Sequence, residues 1–290
     1  MILRFWGVRG SIAVPGIDTS RYGGNTSCVE VTAPGVASLV FDCGTGARAL
    51  GRALLARPER ELHLLFSHFH MDHVFGFPFF APIFAPSFET TVSAPAFHPD
   101  GAKDRLARYL NGVFHPLRLP EVPGRIVYDA IRPARPFTRG PWEIVGFALN
   151  HPGGACAYRA TLATPGGGGR SIAYVTDTAP LSRPGEGLAG GGLPNGREAQ
   201  FIDFLRGADI VVFDTMFTLP EYLEKMTWGH SYPEYAVAVC DAADVKTLYL
   251  FHHAPDATDA DLDMLAEHWA GHTRVRVRVA REGQEVNLEG

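Results

Sequence analysis

Apolar positions along the chain fall into short runs separated by glycine- and proline-containing turns. Runs of about four to eight apolar residues are typical of buried strands, and i, i+3, i+4 spacing is typical of amphipathic helices. The pattern predicts strands at 3–6, 28–32, 38–41, 61–66, 90–94, 125–131, 142–149, 156–162, 171–176, 210–213, 247–251 and 274–279. It predicts helices at 47–56, 103–110, 199–205, 233–241 and 259–270. This alternation indicates an α/β protein.

The sequence pattern gives no indication of more than one domain. No repeat of about 20 to 50 residues is visible, which argues against a solenoid or a propeller. No linker-like segment separates the predicted elements, so we expect a single domain spanning residues 1–290.

The amino-acid composition says little about the class of protein. The chain has 46% apolar and 20% charged residues, which is ordinary for a soluble globular enzyme. Its net charge of −5 argues against a general nucleic-acid binder, which usually has a basic surface. The longest apolar run, 74–88, is shorter than the about 20 residues of a membrane helix and contains three prolines, so no membrane span is expected.

The N-terminus and the cysteines indicate a reducing compartment. The apolar start is interrupted by Arg4 and Arg9, so we expect no signal peptide. The cysteines form no C-x-x-C pair and are predicted to be buried free thiols: Cys28, Cys43, Cys156 and Cys240. We therefore expect a cytoplasmic protein.

A dense group of metal-binding side chains follows the strand at 61–66. The segment reads His68-Phe69-His70-Met71-Asp72-His73. Burying so many polar groups without partners would be costly, so a structural role is disfavoured. In an extended segment His68 and His70 point to the same side and can share one ion, while Asp72 and His73 can face a second ion. Imidazole and carboxylate ligands suit Zn²⁺, Mn²⁺ or Fe²⁺.

Three further potential ligands each follow a predicted strand: His151, Asp177 and His252. Each is weak alone, but strand ends at one edge of a sheet are where α/β folds build sites. Together they would complete a site for two ions. His253 competes with His252 for the last position.

The motif, together with Phe41-Asp42-Cys43-Gly44-Thr45-Gly46, resembles the metallo-β-lactamase superfamily over most of the chain. The resemblance implies a four-layer αβ/βα sandwich. It implies one ion on His68, His70 and His151. It implies a second ion on Asp72, His73 and His252, with Asp177 bridging the two. Asp42 would orient a ligand, and the position directly after the apolar strand favours His252 over His253.

Other segments resemble one branch of that superfamily. Residues 5–11 and 21–28 are similar to the branch of ribonuclease Z and the cyclic phosphodiesterases. Asp177, where true β-lactamases have a cysteine, argues against that activity. Trp228-Gly229-His230-Ser231 resembles the Gly-His-Ser segment of ribonuclease Z, which implies that His230 lies beside the metals without binding them. Asp214 replaces a glutamate of that family, and we expect it to lie behind the ligands.

The resemblance and the ligand chemistry together predict a dinuclear metal-dependent hydrolase, with Zn or Mn favoured and Fe open. A hydroxide held between two ions is a strong nucleophile at neutral pH. We assign His230 and Asp72 as catalytic residues, with His230 bonding a phosphoryl oxygen or protonating the leaving oxygen. The expected substrate is a small phosphodiester, such as a cyclic one.

Three other functions stay open. They are a carbonyl hydrolase for lactones, thioesters or β-lactams, a tRNA 3′-processing endonuclease, and a non-catalytic metal-dependent carrier. The glycine-rich stretch 185–196 carries no lysine or arginine, which argues against tRNA as a partner. The resemblance leaves a homodimer open. The phenylalanine-rich segment 74–88 either packs in the core or walls a substrate cavity.

Overall fold

The structure is a computed structural model that describes residues 1–97, 99–163, 169–183, 185–194, 196–272 and 274–288. Its strands are β1 (Ile2–Gly7), β2 (Cys28–Ala33), β3 (Val36–Phe41), β4 (Glu61–Leu65), β5 (Glu89–Pro95), β6 (Arg125–Ile131), β7 (Phe137–Arg139), β8 (Trp142–Ala148), β9 (Cys156–Ala163), β10 (Gly169–Val175), β11 (Ile210–Asp214), β12 (Thr247–Phe251), β13 (Arg276–Val279) and β14 (Glu285–Asn287). Its α-helices are α1 (Ala47–Leu55), α2 (Met71–Val74), α3 (Ala102–Ala107), α4 (Gly196–Leu205), α5 (Leu219–Glu224), α6 (Pro233–Ala242) and α7 (Asp259–Trp269).

The chain forms two compact units. The N-terminal unit comprises Met1–Arg132 together with Arg281–Gly290, and the C-terminal unit comprises Pro133–Ala280. The expectation of one domain over residues 1–290 stays a prediction.

The N-terminal unit is built on a mixed seven-stranded sheet with the order β14-β1-β2-β3-β4-β5-β6. Strands β14, β1, β2 and β3 pair antiparallel. Strands β3, β4, β5 and β6 pair parallel. Because β3 and β4 are parallel neighbours, the loops that follow them lie side by side at one edge of the sheet.

A helical layer packs on this sheet through large apolar side chains. Helix α1 buries Leu50 and Leu54 in the same cluster as Leu64 of β4. The prolines of the phenylalanine-rich segment restrict it to short 3-10 helices, Phe77–Phe79 and Ala81–Phe84. This packing fixes β4 and the segment that follows it.

The C-terminal unit is built on a second mixed seven-stranded sheet, with the order β13-β12-β11-β10-β9-β8-β7. Strands β10, β11, β12 and β13 pair parallel. Strands β7, β8, β9 and β10 pair antiparallel. Since two reversals separate β8 from β10, strands β8, β10, β11 and β12 all run in the same direction.

Helices α4 and α6 cover this second sheet. Phe201 of α4 lies 6.0 Å from the ring of Phe213 on β11, and Tyr235 of α6 lies 6.4 Å from the same ring. All three side chains are buried. The packing holds β11 rigidly up to its last residue, Asp214.

Each predicted strand and helix is present, with ends that match or shift by at most three residues, because these segments carry strong apolar patterns. Four short elements were not predicted: β7, β14, α2 and α5. The predicted hairpin is the antiparallel pair β9–β10, and its turn at 166–169 lies largely outside the described residues.

Two further expectations have a structural counterpart. The four cysteines are free and buried, as predicted. Among the described residues, no helix has the length and apolarity needed to cross a membrane. The cytoplasmic location stays a prediction.

Candidate metal centre

The histidine-rich motif lies on the loop after β4 and on the short helix α2. His70 has an extended backbone (φ −67°, ψ 157°) and immediately precedes α2, which carries Asp72 and His73. Potential ligand atoms of His68 and His70 lie within 4.8 Å of each other, and so do those of Asp72 and His73. The motif therefore contains two pairs of close ligand atoms, and the expectation that each pair faces a separate ion stays a prediction.

Asp42, directly after β3, holds this motif in place. Its Oδ1 accepts a hydrogen bond from the Ser67 backbone N–H at 2.7 Å. Its Oδ2 accepts from Ser67 Oγ at 2.7 Å and from His73 Nδ1 at 2.7 Å. Asp42 adopts a left-handed conformation with φ 58°, which aspartate tolerates better than most residues. All three residues are buried.

These bonds determine which nitrogen of each ring carries the proton. A carboxylate only accepts, so Nδ1 of His73 donates to Asp42 and its Nε2 carries the lone pair. Ser67 Oγ gives its single proton to Asp42, so it accepts from His68 Nδ1 at 3.0 Å. Both rings therefore present Nε2 as the ligand atom.

Asp72 is oriented from a distant part of the N-terminal unit. Its Oδ2 accepts a hydrogen bond from the Ser11 backbone N–H at 2.8 Å and lies 3.2 Å from His73 Nε2. Ser11 has φ 61°, so the loop after β1 is turned to aim this N–H at the carboxylate. Asp72 is buried whereas His70 is exposed.

Two glycines allow the helix α2 to approach the turn after β3. A Cβ on Gly44 would lie 2.3 Å from the Asp72 carbonyl oxygen. A Cβ on Gly76 would lie 1.9 Å from the Gly44 carbonyl oxygen. The Asp-x-Gly turn in the sequence is therefore required by close backbone packing beneath the motif.

In the C-terminal unit, the second group of predicted residues lies at the carboxyl ends of like-directed strands. Asp177 follows β10 and His252 directly follows β12. His151 follows β8, and Asp214 is the last residue of β11. Potential ligand atoms of Asp177, Asp214, His230 and His252 all lie within 4.8 Å of one another.

Asp177 is the centre of this group. Its Oδ1 lies 3.2 Å from His252 Nε2, and its Oδ2 lies 3.7 Å from His151 Nε2. Asp177 and His252 both have positive φ, at 48° and 62°. Such strain in non-glycine residues is sustained by the surrounding structure and is concentrated at functional sites.

His151 is fixed by a backbone carbonyl. Its Nδ1 donates to the Gly229 carbonyl oxygen at 2.9 Å, which leaves the lone pair on Nε2. Burial lowers the pKa of His151 below the ordinary imidazole value, and the nearby Asp177 opposes that shift. The ring is therefore neutral at pH 7 and competent as a metal ligand.

His230 pairs with Asp214. Its Nδ1 donates to Asp214 Oδ2 at 3.0 Å and lies 3.9 Å from Asp177 Oδ2. Asp214 also accepts from the backbone N–H of Thr178 at 3.1 Å and of Met216 at 3.1 Å. Asp214 thus fixes the orientation of His230, and its expected place behind the metal ligands stays a prediction.

His252 and His253 contact different groups. His253 Nε2 donates to the Ala280 carbonyl oxygen at 2.8 Å, whereas His252 Nε2 lies beside Asp177. Adjacent residues at the end of a strand point to opposite sides, so only one of them can face Asp177.

Sequence reasoning found the side chains with metal-binding chemistry but missed three residues that position them. The Ser67 hydroxyl links Asp42 to His68 by hydrogen bonds. The Ser11 backbone N–H donates to Asp72, and the Gly229 carbonyl oxygen accepts from His151. Two of these contacts use backbone groups, which carry no residue-type signal. Ser67 stands directly before His68, and its hydroxyl was the one available clue.

The donor chemistry in each unit fits hard or borderline divalent cations. The N-terminal unit offers three imidazoles and one carboxylate, and the C-terminal unit offers His151, Asp177 and His252. No thiolate belongs to either group, which suits Zn²⁺, Mn²⁺ or Fe²⁺ and disfavours softer ions.

Comparisons with known proteins agree with this chemistry. The sequence model of the β-lactamase superfamily domain matches residues 38–253. Ribonuclease Z of Thermoplasma acidophilum is 24% identical over 269 residues, covering 77% of this chain and 79% of that protein. The metallo-β-lactamase fold protein YhfI of Bacillus subtilis is 20% identical, covers 98% of each chain and has a TM-score of 0.68. A diphosphatase of the PhnP family is 16% identical with a TM-score of 0.66, covering 99% of this chain and 98% of that chain.

The chain therefore belongs to the β-lactamase superfamily. It is a hydrolase of the metallo-β-lactamase fold, and this fold implies divalent metal ions. The predicted fold class, the αβ/βα sandwich of that superfamily, is confirmed.

Proposed function

We propose that the chain is a dinuclear metal-dependent phosphodiesterase that acts on small phosphodiesters. One ion would be held by His68, His70 and His151. The second would be held by Asp72, His73 and His252. Asp177 would bridge the two ions.

The fixed tautomers support this assignment. His68, His73 and His151 each donate Nδ1–H to an oxygen, so each offers Nε2 as a neutral ligand without rearrangement. Asp177 lies near both His151 and His252 within its own unit, which is the position that a bridging carboxylate needs.

When bound, the ions supply an activated water as nucleophile and positive charge opposite the phosphoryl oxygens. Side chains of the protein carry out the other steps of the reaction. With Nδ1 bonded to Asp214, His230 acts through Nε2 on the phosphoryl oxygen or on the leaving oxygen. Asp214 holds the ring in one orientation through this hydrogen bond of 3.0 Å.

The observation that carries the phosphoester assignment is the His230–Asp214 pair beside Asp177. A buried, carboxylate-oriented histidine next to the ligand group can donate a proton to an alkoxide leaving group. A non-catalytic carrier has no need of such a group. Two similar proteins are named a ribonuclease and a diphosphatase, and both names denote hydrolysis at phosphorus.

RNA cleavage is the second candidate, favoured by the similarity to ribonuclease Z. Binding a tRNA-sized substrate usually requires several cations directed at phosphates. Arg197, which borders the glycine-rich stretch, instead donates to the carbonyl oxygens of Ala148 and Leu149. We therefore favour a small substrate.

A substrate panel tests the proposal. Protein loaded with Zn²⁺ or Mn²⁺ would be assayed on bis(p-nitrophenyl) phosphate, a cyclic nucleotide, a lactone, a thioester and a tRNA precursor, with His70→Ala as the inactive control. We expect turnover of the first two only. Turnover of the lactone or thioester without the diesters would contradict the proposal, and cleavage of the tRNA precursor alone would favour the second candidate.

A further inference from the structure

An aromatic pocket opens on the surface of the N-terminal unit. It encloses about 440 Å³. Its walls include Phe75, Pro78, Phe79, Tyr109 and Phe114, with Arg48 at its edge. The volume lies within the range of about 300 to 1,000 Å³ that is typical of small-molecule sites. We call this cavity the aromatic pocket.

Some rings of the phenylalanine-rich segment pack in the core, whereas others are exposed at the aromatic pocket. Phe77 and Phe80 are fully buried in the core cluster. Phe79 is 61% exposed, and Phe114 from a separate loop is 81% exposed. Large rings left mostly in solvent around a cavity bury little surface on folding, and clustered exposure of this kind marks a binding surface.

The aromatic pocket adjoins the metal-ligand motif within the same unit. Phe75 follows Asp72 by three residues on the turn of α2, so the two side chains lie on the same face. The Phe75 and Tyr109 rings meet edge to face with centroids 6.3 Å apart. Tyr109 Oη lies 3.5 Å from the carbonyl oxygen of Phe69, inside the motif.

The pKa of Tyr109 agrees with the position of the aromatic pocket beside the metal-ligand motif. Burial raises the pKa of Tyr109 above its ordinary value, and the Asp72 carboxylate raises it further while Arg108 lowers it. Tyr109 therefore remains a neutral phenol at the pH of any plausible assay and presents an uncharged ring to the pocket.

We propose that the aromatic pocket binds a flat aromatic group, such as a nucleobase, on the phosphodiester substrate. The inference rests on the proposed function for its phosphodiester part. Phe79 and Phe114 provide the ring faces for stacking, and the adjoining motif places the phosphoryl group toward Asp72. A nucleotide diester fits this combination, whereas a purely aliphatic diester leaves the pocket empty.

Kinetics with two matched esters test the proposal. Bis(p-nitrophenyl) phosphate and methyl p-nitrophenyl phosphate share one leaving group and differ in the other substituent. We expect Phe79→Ala and Phe114→Ala to raise KM for the diaryl ester about five- to tenfold, the size of a lost stacking contact. KM for the methyl ester and kcat for both should change less than about twofold.

Val113→Ala is the matched control. Val113 precedes Phe114, is 82% exposed and does not line the pocket. It should leave both esters unaffected. Equal effects of Phe114→Ala on both esters, or a matching effect of Val113→Ala, would overturn the proposal.

Direct binding separates this proposal from the proposed function. Calorimetric titration of the zinc-loaded protein with adenosine monophosphate and with ribose 5-phosphate compares ligands that differ by the base. Tighter binding of the first by about tenfold, lost in Phe79→Ala, supports the pocket even if no diester is hydrolysed. Equal affinities in the unmodified protein, or a Phe114→Ala variant that only changes oligomeric state, would overturn it.

Discussion

A single carboxylate determines the ligand geometry of two histidines. Asp42 accepts from His73 directly and from His68 through the Ser67 hydroxyl. Each bond fixes a ring's tautomer and increases the basicity of its Nε2. Asp42 thus positions both rings without being one of the proposed ligands.

We predict that Asp42→Asn weakens metal binding. Asparagine keeps the size and tolerates φ 58°, but it loses the charge and one acceptor. The expected fall in metal affinity is about 10- to 100-fold, measured by competition with a chelator. Ser67→Ala should have a smaller effect because it affects His68 alone. Unchanged affinity in folded Asp42→Asn protein would show that the hydrogen bonds do not tune the ligands.

His230 gives a second prediction at the residue scale. His230→Ala should retain normal metal content, because we assign it no ligand role, and should lower kcat by about 10²- to 10³-fold for an ester with an alkyl leaving group. A p-nitrophenolate departs without a proton, so its release should slow much less if His230 protonates the leaving oxygen. Equal slowing for both would instead indicate a bond to the phosphoryl oxygen. No slowing for either excludes both roles.

At the scale of elements, the sheet topology brings together residues distant in sequence. Asp177 and His252 follow β10 and β12, and Asp214 ends β11; these three strands are adjacent and parallel. The sequence predicted these strands because buried parallel strands read as continuous apolar runs. It therefore predicted that polar residues at their ends would meet.

The supporting contacts of these elements were not predictable in the same way. Helix α2 covers only four residues, too few for a periodic pattern, so it was not predicted. The bonds from Ser11 N–H to Asp72 and from His151 to the Gly229 carbonyl depend on the tertiary path of two loops. These hydrogen bonds cannot be predicted from the sequence of either segment alone.

Gly229 offers the sharpest test at this scale. It has φ 86°, and a Cβ there would lie 2.4 Å from His151 Nδ1. We predict that Gly229→Ala displaces His151, with a lower metal content per chain by elemental analysis and a loss of activity of more than about tenfold, since a ligand displaced by an ångström disrupts the site.

Gly207→Ala is the matched control for that substitution. Gly207 also has positive φ, at 65°, but nothing lies within 4 Å of its Cβ position. Both variants share the cost of about 1 to 3 kcal/mol for a non-glycine residue at positive φ. Equal metal content in the two variants would mean that strain, and not contact with His151, explains the effect.

For the whole molecule, the hydrophobic pattern predicted the α/β class and the resemblance predicted the superfamily fold, both of which are confirmed. Composition and periodicity could not anticipate the division into two compact units, because no linker marks the boundary near Arg132 and Pro133. The return of 281–290 to the first unit depends on pairing between β14 and β1, which is a contact across almost the whole chain.

The buried thiols give a prediction for the folded molecule. Burial raises the pKa of Cys156 to about 12, so at pH 8 this group is a thiol and a poor nucleophile. All four cysteines are buried, so the native protein should not react with Ellman's reagent at that pH. Full reaction of four thiols is expected in denaturant. Rapid native reaction of even one thiol would contradict the packing.

The central claim is that two ions on these ligands drive phosphodiester hydrolysis. The most direct measurement is the rate of bis(p-nitrophenyl) phosphate hydrolysis as Zn²⁺ or Mn²⁺ is titrated into metal-stripped protein. We predict no turnover without metal and a rate that saturates at about two equivalents per chain, with His70→Ala inactive throughout. Full activity without metal, or no turnover by protein that holds two ions, would contradict the account.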